Sequence, residues 1–185
     1  MIVIVGASSS GKTVLAKEFV KQNTEYKRII TYTTRPKREN EVDGIDYYFI
    51  TNERFIELMK QGFFAETNVY REWYYGTALD DCTDDDKSIA VLTPAGLRNI
   101  VKRHVHVISV YLYVDRAHRL MKSIQRGDNI DEAYRRNLSD EGQFDGVENE
   151  VMAVIDNKDM RLSVNDVLSV FNDIISANRT GEVDG

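Results

Sequence analysis

Apolar positions along the chain fall into short runs that alternate with helical stretches. The run IVIV at residues 2–5 is β-branched and ends at a glycine, which is typical of a fully buried strand. Residues 12–22, KTVLAKEFVKQ, follow with apolar side chains at helical spacing. Further strand-like apolar runs lie at 88–92, 105–114 and 160–164. This order predicts an α/β fold in which a parallel sheet is sandwiched by helices.

Two segments interrupt the alternation. Residues 31–80 contain short strand-like pieces around the helix-like NERFIELMK, which predicts an inserted mixed α/β lobe. Residues 116–139 are rich in arginine and weakly apolar, which predicts a helical lid beside a phosphate site. The core is then expected at 1–30, 81–115 and 140–178, with a flexible tail at 179–185.

Composition excludes several classes of function. The chain has 185 residues and a net charge of −6, which argues against a surface for nucleic acid or anionic lipid. Its single cysteine, Cys82, excludes an intrachain disulfide and a four-cysteine zinc site. The apolar start is too short for a secretory signal or a membrane span. We therefore expect a cytoplasmic protein, monomeric or weakly dimeric, with neither nucleic acid nor membrane as partner.

Residues 6–13, GASSSGKT, match the phosphate-loop pattern GxxxxGK[ST] in the required strand, loop, helix order. Glycines let the backbone turn so that its N–H groups converge on a polyphosphate at the helix N-terminus. Lys12 is expected to reach the β- and γ-phosphates of ATP, and the Thr13 hydroxyl to bind Mg²⁺. The predicted ATP-binding loop residues are Gly6, Ala7, Ser8, Ser9, Ser10, Gly11, Lys12 and Thr13. The motif thus predicts a P-loop NTPase but leaves the acceptor open.

A second phosphate site is indicated by Arg35 and Arg38, on either side of Pro36. Proline biases the residue before it towards an extended backbone, so both guanidinium groups can project from a loop. Such planar forks suit a doubly charged phosphate, which accepts bidentate hydrogen bonds. Taken alone, two arginines at this spacing are more often solvated surface residues.

The motifs around these arginines resemble the guanylate kinase family. The family sequence TTR with a second arginine, then E-V-D-G and D-Y-x-F, stands here at 33–38, 41–44 and 46–49. Residues 62–77, GFFAETNVYREWYYGT, are similar to the family segment that ends in N-Y-Y-G-[ST], and SVND at 163–166 to a late V-N-D element. The resemblance covers most of residues 1–130 and 159–175.

The resemblance implies ATP-dependent phosphorylation of GMP or dGMP, with Mg²⁺ accompanying ATP. It places the GMP phosphate among Thr31, Arg35, Arg38, Tyr47 and Tyr75. It places the guanine base against Glu66 and Thr77. The chemistry agrees, because one carboxylate can accept from both N1–H and N2–H₂ of guanine, a donor pair that adenine lacks.

The resemblance also assigns charge stabilisation to arginines of an R-G element and of the helix after it. Arg126 and Arg136 are the nearest matches, and Arg135 competes with Arg136 because the intervening loop aligns poorly. With Lys12, these arginines are the predicted catalytic residues. Asn165 is expected either near the adenine of ATP or as a helix cap, with capping favoured.

Three departures from the family pattern leave alternatives open. Ser9 replaces a second loop glycine, which is tolerable if φ is negative there. Val91 and Thr93 replace acidic residues that hold Mg²⁺ through water and assist the acceptor, and residues 137–158 resemble the family poorly. The alternatives are a kinase of another nucleoside monophosphate or small phosphorylated metabolite, and a non-catalytic guanylate-kinase-like binding module.

Overall fold

Two β-sheets organise the part of the chain that the computed structural model describes, residues 1–39, 41–70, 72–82, 87–103 and 106–180. In chain order, the strands are β1 (Ile2–Val5), β2 (Lys27–Arg28), β3 (Tyr32–Thr33), β4 (Tyr48–Phe49), β5 (Phe64–Tyr70), β6 (Trp73–Ala78), β7 (Ser88–Leu92), β8 (Ile108–Tyr113) and β9 (Ala153–Asp156). One sheet has the order β2-β7-β1-β8-β9 and is wholly parallel. The other has the order β4-β3-β6-β5 and mixes parallel with antiparallel pairs.

Helices cover both faces of the parallel sheet. In chain order, the helices of the described ranges are α1 (Lys12–Gln22), α2 (Asn52–Lys60), α3 (Pro94–Val101), α4 (Arg116–Gln125), α5 (Ile130–Ser139) and α6 (Val164–Thr180), of which α1, α3 and α6 pack on this sheet. β1 lies at the centre, and its four buried side chains alternate between the two faces. Ile2 and Ile4 belong to the core with α1 and α6, whereas Val3 and Val5 belong to the core with α3. The predicted parallel sheet sandwiched by helices is confirmed.

The last strand of the parallel sheet lies earlier in the chain than the sequence predicts. β9 pairs with β8, whereas residues 160–164 form a turn and the start of α6. Met160 has a φ of 56°, a left-handed conformation that interrupts an extended chain. The Asn157 side chain bonds the backbone of Leu162, at 3.0 Å to its N–H and 3.3 Å to its carbonyl. The prediction of a strand at 160–164 is therefore wrong.

The mixed sheet lies within residues 31–80, the segment predicted as an inserted lobe. α2 packs on this sheet through Phe55, whose ring stacks on Phe64 at 4.5 Å and on Tyr74 at 5.2 Å between centroids. Gly76 lies against the same rings, and a Cβ there would come within 2.8 Å of Phe64 Cδ1. The segment therefore has a small aromatic core of its own.

The arginine-rich segment 116–139, predicted as the lid, contains the two packed helices α4 and α5. Gly127 lies between them with a φ of 85°, which glycine adopts without strain. After α5 the chain continues in turns to a short 3₁₀ helix, Val147–Asn149, before β9. Within the described ranges, no helix is long and apolar enough to span a bilayer.

Candidate active site

A cavity of about 250 Å³ lies where the phosphate loop, the mixed sheet and the lid meet. The predicted site residues that line it are Gly6, Ser8, Ser9, Gly11, Lys12, Thr13, Thr31, Arg35, Arg38, Tyr47, Glu66, Tyr75, Arg126 and Arg136. Further lining residues include Asn68, Trp73, Val91, Thr93 and Asp140. Motifs that lie far apart in the chain therefore face one common space.

The phosphate loop fixes its own lysine. Lys12 Nζ donates to the carbonyl of Ala7, 2.7 Å away. Gly11 has a φ of 101°, and a Cβ on Gly6 would lie 2.8 Å from the carbonyl oxygen of Leu112, so both positions require glycine. Burial lowers the pKa of Lys12 to about 8. The lysine is thus charged at neutral pH, but close to its titration range.

Ser9 adopts a left-handed backbone conformation. Its φ is 63°, so the condition under which a serine would be tolerated here without strain, a negative φ, is not met. A residue with a Cβ in this region costs roughly 1 kcal/mol relative to glycine. The Ser9 hydroxyl lies 2.6 Å from Ser123 Oγ in α4 and accepts from Arg126 Nη2 at 3.4 Å. These contacts offset the strain and join the phosphate loop to the lid, which a glycine could not do.

The two predicted phosphate-binding arginines share one carboxylate. Arg35 Nη2 donates to both oxygens of Glu41, at 2.7 and 2.9 Å, and the backbone N–H of Arg38 donates to Glu41 at 2.9 Å. Arg35 is buried, with its guanidinium 5.4 Å from the ring centre of Tyr47 and 5.6 Å from that of Phe49. The EVDG motif is the only sequence signal for Glu41, and its pairing depends on the folded loop.

The lid brings two of its three predicted catalytic arginines to the cavity. Arg126 Nε donates to Asp128 Oδ1 at 3.0 Å, and Arg136 Nη1 lies 3.5 Å from Asp128 Oδ2. Arg136 is buried, whereas Arg135 is exposed and its Nε donates to the carbonyl of Asp131 at 3.3 Å. The geometry favours Arg136 over Arg135 for a role in the cavity.

Glu66 is a buried carboxylate in the lining of the same cavity. Thr77 Oγ1 donates to Glu66 Oε1 at 2.7 Å, and Thr77 is itself fully buried. Burial raises the pKa of Glu66 to about 7, against the lowering effect of the Thr77 hydrogen bonds. A Cβ on Gly96 would lie 2.9 Å from Glu66 Oε2, so this glycine makes room for the carboxylate. Thr77 therefore orients Glu66, and Gly96 is a site residue that no sequence motif indicated.

Comparisons with known proteins show which family the chain belongs to. A sequence profile of the guanylate kinase family matches residues 1–174. The chain belongs to the guanylate kinase family. The guanylate kinase of Prochlorococcus marinus subsp. pastoris is 31% identical over 175 residues, which cover 92% of this chain and 95% of that protein. The guanylate kinase of Trichormus variabilis is 32% identical over 143 residues, which cover 75% of this chain and 72% of that protein.

A solved structure supports the fold assignment. The crystal structure of guanylate kinase from Anaplasma phagocytophilum superposes with a TM-score of 0.71 at 20% identity. The match covers 96% of this chain and 85% of that one. The P-loop NTPase fold predicted from the sequence is thereby confirmed for this guanylate kinase family member.

Val91, within β7, and Thr93, directly after it, are neutral residues at the positions where the family pattern has acidic ones. Thr93 Oγ1 accepts from the N–H of Gly96 at 3.1 Å, which caps α3, and from Asn68 Nδ2 at 3.0 Å. Val91 lines the cavity with an apolar side chain. Across the ranges that the structure describes, no three metal-binding side chains gather in one place. Thr13, the predicted metal-binding residue, lines the same cavity.

A buried ion pair supports the phosphate loop in this guanylate kinase family member. Asp140 Oδ2 accepts from the backbone N–H of Ser8 and from Arg119 Nη1, both at 2.9 Å. Arg119 Nη1 also donates to the Ser8 carbonyl at 3.2 Å, and the two charged side chains are only 8% and 5% exposed. Removing one partner of such a pair costs about 3 to 5 kcal/mol. Asp140 lies in the stretch that resembles the family poorly, so no motif pointed to it.

Three predicted ATP-binding residues lie outside the cavity lining. Ala7 and Ser10 are buried in the phosphate loop, where the Ser10 N–H donates to the Ala7 carbonyl at 3.2 Å. Asn165 is exposed in the first turn of α6. The favoured role of Asn165 as a helix cap is wrong, because Ser163 caps α6. Ser163 Oγ accepts from the Asp166 N–H at 3.2 Å, and Asp166 Oδ2 accepts from the Ser163 N–H at 2.9 Å.

Proposed function

We propose that this protein transfers the γ-phosphoryl group of ATP, in line, to GMP or dGMP and releases ADP with GDP or dGDP. One observation carries the proposal. A single cavity joins an intact phosphate loop to a two-arginine anion site and to the buried carboxylate of Glu66. Membership of the guanylate kinase family supports the same reaction.

The acceptor phosphate binds at Arg35 and Arg38. Contacts with Glu41 and Pro36 use three of the five N–H donors of Arg35 and fix its guanidinium, so the other donors are oriented for a phosphate. Burial and the positive charges of Arg35 and Arg136 lower the pKa of Arg38, which is partly offset by acidic neighbours. This concentration of positive charge favours a dianion. The remaining lining residues of the phosphate site are Thr31, Tyr47 and Tyr75.

Glu66 selects the base. When ionised, its carboxylate accepts hydrogen bonds from N1–H and N2–H₂ of guanine, and Thr77 holds it in place. Adenine lacks this N–H pair, and the loss of these hydrogen bonds to a buried acceptor would cost about 1 to 3 kcal/mol. Guanine is therefore bound in preference to adenine.

The transfer step relies on positioning and on charge stabilisation, because phosphoryl transfer needs little covalent help from the protein. Lys12 contacts the β- and γ-phosphates of ATP. Arg126 and Arg136 contact the transferred group from the lid, where Asp128 holds them close together. No general base is needed, because the acceptor is already a phosphate anion. Closure of the lid excludes water that would otherwise hydrolyse ATP.

Mg²⁺ bound with ATP would neutralise charge on the phosphates. The Thr13 hydroxyl suits one position in its oxygen shell. Asp140 also faces the cavity, but Ser8 and Arg119 already engage its carboxylate. Phosphate oxygens and water would therefore supply the other ligands, as is common for this ion.

We place the reaction in the reducing cytoplasm. The single cysteine of the chain, Cys82, is buried, and burial raises the pKa of its thiol to about 12, so it is a poor nucleophile and redox partner. All groups assigned to the cavity belong to one chain, so a monomer or weak dimer suffices for activity.

Coupled ADP-release assays with ATP and each of GMP, dGMP, AMP, UMP, CMP and dTMP test the proposal. We expect turnover with GMP and dGMP and little with the others. Turnover confined to another nucleotide would support the alternative of a kinase with different base specificity. Phosphopeptide binding without any turnover would support the binding-module alternative, which the intact Lys12 and Thr13 disfavour.

A further inference from the structure

Asn68 and Thr93 form a polar pair at the base end of the cavity, outside the contacts assigned above. Asn68 follows Glu66 by two positions in β5, so both side chains lie on the same face of the strand. Thr93 follows directly after β7. All three residues line the cavity that contains the phosphate loop. The pair therefore borders the space that the base of a bound monophosphate would enter.

The hydrogen bonds of this pair leave one acceptor available. Thr93 Oγ1 accepts from Asn68 Nδ2 at 3.0 Å and from the N–H of Gly96 at 3.1 Å, so both of its lone pairs are used. The Nδ2 contact fixes the plane of the Asn68 amide. Asn68 is half-buried, and its Oδ1 makes no hydrogen bond within the described ranges. An oriented acceptor beside Glu66 is suited to an N–H group of a ligand.

We propose that Asn68 is a second specificity-determining residue, whose Oδ1 accepts from the exocyclic 2-amino group of guanine, with Thr93 as the positioning residue for its amide. This inference rests on the proposed function and extends it to the recognition of one group of the base, the 2-amino group. The 2-amino group carries two N–H donors. Glu66 accepts one of them together with N1–H, and Asn68 accepts the other.

A neutral acceptor suits this position better than a second carboxylate. Burial already raises the pKa of Glu66 to about 7. A neighbouring carboxylate would raise it further through like-charge repulsion, and Glu66 would then be protonated at neutral pH. An amide adds an acceptor without adding charge. Asn68 and Thr93 thus supply uncharged hydrogen-bonding groups at the end of β7, where acidic residues are absent.

IMP tests the inference because it differs from GMP only in lacking the 2-amino group. We would measure kcat/KM for both nucleotides, and their binding by calorimetry, in the wild type, Asn68→Leu, Thr93→Val and Thr93→Ser. Asn68→Leu should lower kcat/KM for GMP roughly tenfold and that for IMP less than about twofold. Thr93→Val should give a smaller loss in the same direction, and Thr93→Ser, which keeps the hydroxyl, should resemble the wild type. Val69→Ala is the matched control, since Val69 is 54% exposed on the opposite face of β5.

Two results would overturn the inference while the kinase function stands. One is an equal loss for GMP and IMP in Asn68→Leu, which would make the pair a structural link between β5 and α3. The other is a wild-type protein that does not distinguish GMP from IMP, and this comparison needs no folded variant. Failure of the proposed function looks different, because the wild-type protein would then neither bind nor phosphorylate GMP.

Discussion

The donor and acceptor ends of the cavity are built in different ways. The donor end is one continuous loop, residues 6–13, in which Lys12 is held by a carbonyl of the same loop. The acceptor end collects groups from distant parts of the chain, and Glu66 depends on Thr77 and Gly96 for its setting. In the proposed reaction, the donor end binds the triphosphate and the acceptor end decides which molecule is phosphorylated. Substrate specificity therefore depends more on tertiary contacts than triphosphate binding does.

Lys12→Met tests the donor end. We expect kcat to fall roughly a thousandfold, because a charge that stabilises the transferred phosphoryl group is lost. The measurement is coupled ADP release at saturating ATP and GMP. Lys17→Met is the matched control, since Lys17 also lies in α1 and contacts Asp46 at 2.6 Å in an exposed pair. Unchanged turnover in Lys12→Met would contradict the role of the loop.

Arg35→Ala tests the acceptor end separately. We expect KM for GMP to rise roughly thirtyfold and KM for ATP to stay within about twofold, because the lost contacts are charge-assisted hydrogen bonds to one substrate. Steady-state kinetics with each substrate varied in turn measures both constants. Arg54→Ala, which removes an exposed arginine paired with Glu57 in α2, serves as the control. Equal rises in both KM values would show that the two ends are not separable.

The pH profile compares the two ends in one experiment. Burial raises the pKa of Glu66 to about 7 and lowers that of Lys12 to about 8. Below pH 7 Glu66 is protonated and cannot accept from guanine, and above pH 8 Lys12 is neutral. We expect kcat/KM for GMP to fall up to about tenfold per pH unit on either side.

Glu66→Gln identifies the acidic limb of that profile. The acidic midpoint should move from about 7 to about 6, the second pKa of a phosphate monoester such as GMP itself. The alkaline limb should stay in place, because Lys12 is unchanged. An acidic midpoint that remains near 7 in this variant would assign the limb to a different group.

Exchanges at Ser9 test the strain in the donor end. Ser9→Ala keeps the left-handed strain and loses the Ser123 contact, whereas Ser9→Gly loses the contact and relieves the strain. We expect Ser9→Ala to be less stable than Ser9→Gly by about 1 kcal/mol, or about 2 to 4 °C in Tm for a chain of this size. Thermal unfolding followed by circular dichroism measures the difference. Equal Tm values would contradict the strained conformation.

Local patterns predict most of the fold. α1 has the bounds expected from the helical spacing of residues 12–22, and β7 those of the SIAVL run. β9 could not be predicted from apolar runs. It lies at the sheet edge, where Val154 is 42% exposed, so the strand lacks a continuous apolar run. Leu162 and Val164 gave a false strand signal, since they are surface apolar residues at 37% and 46% exposure.

The predicted site residues largely face one cavity, but their partners could not be predicted. Arg119 and Asp140 are 21 residues apart, and Asn68 and Thr93 are 25 apart. Hydrogen bonds across such separations follow no helical or strand period, so only the folded chain brings the groups together. The left-handed φ of Ser9 could not be predicted for the same reason, because the contacts that offset its strain come from the lid.

Transfer of the γ-phosphoryl group from ATP to GMP can be followed directly with a radioactive label. ATP labelled with ³²P at the γ position would be mixed with the protein and GMP, and the labelled products separated over the first turnovers. We expect the label to appear in GDP at the rate of ADP formation, and Lys12→Met to slow its appearance roughly a thousandfold. Label found only in inorganic phosphate, or ATP left intact in the presence of GMP, would contradict the claim that the cavity joins an ATP site to a guanine monophosphate site.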